Sequence, residues 1–147
     1  MDYDEASQGF ALNPGNILMY FALDAHVGLM RDMIAAKANI EVRDVFGRSA
    51  LMMAATRADL ACIRLLFENK ADIETKDHRG CTALISAAAI GQKRSLQLLI
   101  DFKANIDAKD SSGITALIAA SNHGNDECVR VLIEAKANLE AKDGAGF

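Results

Sequence analysis

Apolar and polar positions alternate along this chain in short segments with a helical period. Leu96, Leu99 and Ile100 stand at i, i+3 and i+4 and form one apolar stripe on a helix. The stripe returns as Ile63, Leu66 and Phe67, as Val129, Leu132 and Ile133, and more loosely as Met30, Met33 and Ile34. A shorter helical run precedes each stripe. The clearest is Ala83 to Ile90, with Thr82 at the N-cap position and Gly91 as the breaker. Ahead of it, Asp77-His78-Arg79-Gly80 places Asp first and Gly last in a four-residue turn, the preference of a type I turn. The pattern predicts helix pairs joined by hairpin-like turns.

The units recur. Gly47, Gly80, Gly113 and Gly146 are 33 residues apart, and so are Asp44, Asp77, Asp110 and Asp143. Residues 78–110 and 111–143 agree at 15 of 33 positions, against about two expected from average residue usage. Two helices of about eight to ten residues cannot bury their apolar faces alone, so they must stack on copies of themselves. Leu18, Leu51, Leu84 and Leu117 fall in register and are predicted to form a core ladder. The repeats span about 13–44, 45–77, 78–110 and 111–143; residues 1–12 form an acidic, aperiodic N-terminal segment, and 144–147 read as the start of a fifth unit.

Ser49-Ala50-Leu51, Thr82-Ala83-Leu84 and Thr115-Ala116-Leu117 resemble the Thr-Pro-Leu-His opening of ankyrin repeats. Leu66-Phe67-Glu68-Asn69-Lys70-Ala71-Asp72 is similar to their Leu-Leu-x-x-Gly-Ala-Asp ending. The resemblance covers about residues 13–143 and implies an all-α, ankyrin-type solenoid. Three departures matter. Ala50, Ala83 and Ala116 replace the family's Pro, and Met52, Ile85 and Ile118 replace its His, so apolar packing is expected to take over from the inter-repeat bonds of that His. Lys37, Lys70, Lys103 and Lys136 replace a Gly after the second helix. A left-handed Lys there costs roughly 1 kcal/mol relative to Gly.

Composition narrows the function. Hydrophobic residues make up 51% of the 147, aromatics only 5%, with no Trp and one Pro, so the core must be built from Ala, Leu, Ile and Met. A net charge of −4 disfavours nucleic acid, whose phosphates demand a positive surplus. Three scattered Cys make no disulfide framework, which points to an intracellular, cytoplasmic setting. The acidic N-terminus is unlike a secretory signal. The longest apolar run, Ile17 to Leu23, is far shorter than the roughly 20 residues of a membrane span. His26, His78 and His123 sit at different offsets within their units and do not converge with Cys62, Cys81 or Cys128, so neither metal nor cofactor is expected. Asp44, Asp77, Asp110 and Asp143 recur in every unit, as turn residues do, whereas a catalytic carboxylate would be unique. Enzymatic activity is not expected.

The resemblance implies a partner-binding concave face made of turn tips and first helices. By position this selects Val45, Phe46 and Arg48 in one turn, His78, Arg79 and Cys81 in the next, and Ser111, Ser112 and Ile114 in the third. On the first helices it selects Thr56 and Arg57, Ala89 and Ile90, and Asn122 and His123, with Leu23 and Asp24 in the first unit. These positions differ between units while the scaffold columns hardly change. Their mix of apolar and basic residues suits a protein partner with an acidic, partly apolar segment. Cys81, at a turn tip, reads as an exposed thiol. Two further expectations follow: the outer side of the last repeat is uncovered and promotes self-association, and the array is alternatively a regulatory or targeting segment of a larger multidomain enzyme or scaffold.

Overall fold

The computed structural model describes residues 14–23 and 26–146; the expectations for residues 1–12, for Asp24, for the side chain of Leu23 and for Phe147 lie outside the described residues. The described residues form eight helices in four pairs: Pro14–Leu23 (α1) with Val27–Ala35 (α2), Ala50–Thr56 (α3) with Leu60–Glu68 (α4), Ala83–Ile90 (α5) with Lys93–Asp101 (α6), and Ala116–Asn122 (α7) with Asp126–Glu134 (α8). Among the described residues there is no strand, only an isolated antiparallel bridge between Arg43 and Ser49. Ser49, Thr82 and Thr115 cap the first helices: each buried hydroxyl accepts the N–H three residues on, from Met52, Ile85 and Ile118, at 3.3 Å.

Side-chain size sets the shape. The interior of α3, α5 and α7 is largely alanine: Ala50, Ala54, Ala87, Ala88, Ala116 and Ala120 are almost wholly buried. Their backbones therefore approach closely. The second helices present Leu65, Leu66, Leu98, Leu99, Val131 and Leu132 instead, and are held farther apart. A stack that is tighter on one side than the other curves toward the tight side, so the first helices and the turn tips beside them line the concave surface.

The predicted ladder forms at Leu18, Leu51 and Leu84, all buried, but Leu117 is only half-buried. Among the described residues no helix pair stacks on the far side of α7 and α8, and Ile133 there is exposed for the same reason.

The four Lys do adopt the left-handed conformation, with φ of 64° at Lys37, 70° at Lys70, 68° at Lys103 and 65° at Lys136. The N–H of the following Ala, such as Ala71, reaches back to the carbonyl of the residue five earlier, such as Leu66 at 3.0 Å, and closes the helix end. Ala58 is left-handed as well, at φ 58°, where the next units have Gly91 and Gly124.

Met52 and Ile85, in the place of the family's His, are buried, and hydrogen bonds between repeats come from elsewhere. Other columns supply polar rungs. Glu41 accepts the N–H of Asp72 at 2.8 Å, Glu74 that of Asn105 at 2.7 Å, and Asp107 that of Asn138 at 2.8 Å. Arg43, Lys76 and Lys109 donate to the carbonyls of Lys76, Lys109 and Lys142 at 2.8–3.1 Å. Gln92 and Asn125 donate to Thr56 and to Ala88 and Ala89, in each case across to the preceding repeat.

Candidate partner-binding face

Each turn is built around its Asp. The N–H of Asp77 donates to the carbonyl of Cys81 at 3.0 Å, and the N–H of Gly80 returns to the carbonyl of Asp77 at 2.9 Å. The Asp77 Oδ1 accepts the N–H groups of Arg79 and Cys81, both at 2.9 Å. Asp44 does the same for Phe46 and Arg48, and Asp110 for Ser112 and Ile114. Gly47, Gly80 and Gly113 close the turns with φ near +78°, a region that costs glycine nothing. Neighbouring turns are tied by the N–H of His78 to the carbonyl of Phe46 and the N–H of Ser111 to that of Arg79, at 3.0 and 2.9 Å. The tips are therefore rigid and evenly spaced.

The two arginines of the first two turns differ. Arg48 is held by Asp44 through its Nε at 2.7 Å and its Nη2 at 2.6 Å. Its guanidinium lies 5.0 Å from the centroid of the Phe46 ring. Burial alone would raise the Asp44 pKa, but the hydrogen bond and charge of Arg48, with the two turn N–H groups, hold its carboxyl below the ordinary range. The Arg79 guanidinium comes no closer to Asp77 than 3.8 Å, at Nε, and its side chain is 81% exposed.

Two clefts meet at this point. One, of about 360 Å³, is walled by Arg79, Thr56, Asn122 and His123 and floored by Ile85, Ala89, Ile90 and Ile114. The other, of about 350 Å³, lies between Phe46, Arg48, His78 and Arg79. Arg48, Asp77 and Arg79 belong to both. Of the residues chosen from the sequence, the clefts thus gather Phe46, Arg48, Thr56, His78 and Arg79 with Ala89, Ile90, Ile114, Asn122 and His123. Val45, Arg57, Ser111 and Ser112 lie at the exposed rim and line neither cleft.

Cys81 corrects an expectation. It lines the first cleft but is only 7% exposed, with its Sγ 3.8 Å from the Asp110 Oδ2. Burial pushes its thiol up to about 11, and the charges of Asp77 and Asp110 add to this. The turn closes over the side chain, because its N–H must reach back to Asp77. Cys62 and Cys128 are also buried and free, and burial with Asp59 pushes Cys62 up to about 12.

The sequence reading missed Ile85, Ser86 and Ala119 on the cleft surface. Ile85 stands where the family's His stands, a position that the sequence marks for packing between repeats; it is buried, yet it forms part of the floor. A larger hollow, about 630 Å³, opens between the second helices near Arg64 and Arg94, and none of the predicted residues lines it. Among the described residues no group of three His, Cys, Asp or Glu could hold a metal ion, and no helix is long and apolar enough to cross a membrane. Residues 59–143 match the family model described as ankyrin repeats (3 copies). No curated protein matches the chain.

Proposed function

The chain belongs to the ankyrin repeat family, and we propose that it is a non-catalytic protein–protein interaction module that holds a partner protein on its concave face. Ankyrin repeats are generally modules of this kind. The observation that carries the choice of face is a division of labour between columns. The columns that repeat from unit to unit are consumed by caps, turns and inter-repeat rungs: Ser49, Thr82 and Thr115, Asp44, Asp77 and Asp110, Glu41, Glu74 and Asp107. The columns that vary supply most of the cleft lining. Phe46 is 60% exposed there and Ile90 57%, and stacking needs neither. The tips are fixed by several hydrogen bonds each, so a partner finds a surface that loses little freedom on binding. Three free thiols fit work in a reducing compartment such as the cytoplasm.

The test is affinity capture from a lysate of the source organism, with the natural chain beside a Phe46→Asp/Arg57→Glu/Ile90→Asp variant that melts at the same temperature. A protein retained by the first and lost by the second supports the reading. Identical captures by both would overturn it.

A further inference from the structure

We infer that the concave face reads a short extended peptide segment in which a carboxylate side chain neighbours an aliphatic one, with Arg79 holding the carboxylate and the Ile85–Ala89–Ile114 floor taking the aliphatic group. This rests on the concave face being the binding face.

The first ground is how the charges are committed. Net charge is −4, yet the carboxylates of this face are turned inward. Asp44, Asp77 and Asp110 each spend Oδ1 on two N–H groups of their own turn. The Oδ2 of Asp44 is held by Arg48. The Oδ2 of Asp110 lies beside the Cys81 thiol. Arg48 is therefore already paired, and among the described residues the arginine left facing solvent at the junction of the clefts is Arg79. Its closest approach to the Asp77 carboxylate is through Nε at 3.8 Å, too long for a hydrogen bond. The two Nη groups are left for a planar, bidentate acceptor, the geometry of a carboxylate.

The second ground is adjacency. Arg79 walls both clefts, and the floor beside it is aliphatic. A group held on the guanidinium brings its immediate neighbours over that floor. Neighbouring helices pack about 8–10 Å apart, so the turns from Asp44 to Asp110 span about 20 Å, which an extended chain covers with about six residues. A folded domain is not needed to satisfy such a site. Phosphate chains fit less well, because the floor offers them no second cation.

The test is selection of a displayed library of random seven-residue peptides on the natural chain. Enriched peptides are expected to carry Asp or Glu within two residues of Leu, Ile, Val or Met. A selected peptide should lose about tenfold or more in affinity against Arg79→Glu, as expected when a charge-assisted pair becomes a like-charge contact. Changing that peptide's acid to Lys should restore binding to Arg79→Glu but not to the natural chain. Circular dichroism of the variant checks that the fold is kept. If no peptide is enriched, if enriched peptides lack the acid, or if the charge swap fails to rescue, the inference is overturned. If peptides bind and Ile90→Asp abolishes the binding while Arg79→Glu leaves it intact, the inference falls but the concave face stands. If neither variant changes the binding, the face itself is wrong.

Discussion

Phe67 and Phe102 stack ring on ring, with centroids 3.9 Å apart and planes 2° from parallel. They are 35 positions apart, so they do not occupy one column of the 33-residue repeat. Phe67 lies in α4, and Phe102 caps the end of α6. The other units have Ile34, Ile100 and Ile133 in the first place and Ala36, Asn69 and Ala135 in the second, so the pair is particular to this junction. Removing both rings should cost less than the sum of removing each. A double-mutant cycle with Phe67→Ala and Phe102→Ala is expected to show a coupling of about 0.5–1.5 kcal/mol. Additive losses in urea unfolding would mean that the stack contributes nothing beyond the area it covers.

Left-handed residues offer the opposite experiment. Lys70 at φ 70° and Ala58 at φ 58° carry a Cβ where Gly would carry none. Relief of that crowding outweighs the extra freedom Gly gives the unfolded chain. Lys70→Gly and Ala58→Gly should each stabilise by up to about 1 kcal/mol, seen as a rise of a few degrees in melting temperature. A lower melting temperature for either would contradict the assigned backbone.

Asp44 makes stability depend on acidity. Its folded pKa lies below the ordinary 3.8, so its paired form contributes above that value and the contribution is lost as pH falls through the folded one. Asp44→Asn should therefore melt below the natural chain at neutral pH. The gap should close as the solution is acidified below 3.8. A gap independent of pH would show that the Arg48 pair adds nothing.

The thiols should be silent in the folded protein. At about pH 8, near the ordinary range of a free cysteine, iodoacetamide is expected to leave Cys62, Cys81 and Cys128 unmodified and to label all three in guanidinium. Mass spectrometry counts the adducts. Rapid labelling of native Cys81 would show that its turn opens.

Architecture was legible in the chain because repetition multiplies weak signals. One Asp-x-x-Gly or one Thr before an apolar run means little, but the same residues at Asp44, Asp77 and Asp110 and at Ser49, Thr82 and Thr115 fix turn and cap together. The left-handed Lys column was readable for the same reason. What escaped were relations across the period. The rung from Glu74 to the N–H of Asn105 joins a side chain to a backbone group, and no residue type announces it. Cys81 was misplaced because position within a turn says where the backbone goes and not which side chains the turn covers. The commitment of Arg48 to Asp44 was hidden too. Arg48 follows its turn glycine and Arg79 precedes its own, but nothing in that order says which guanidinium its Asp holds.

The contrast between alanine first helices and leucine second helices has a consequence for how this surface can be tuned. The arc of the array is set by a difference in side-chain bulk at buried positions of the two layers, which a bound partner would not touch. Enlarging Ala87 or Ala120 would splay the inner layer and flatten the arc, while trimming Leu98 would deepen it. The width of the grip can thus be adjusted from inside the scaffold, with every contacting residue left as it is.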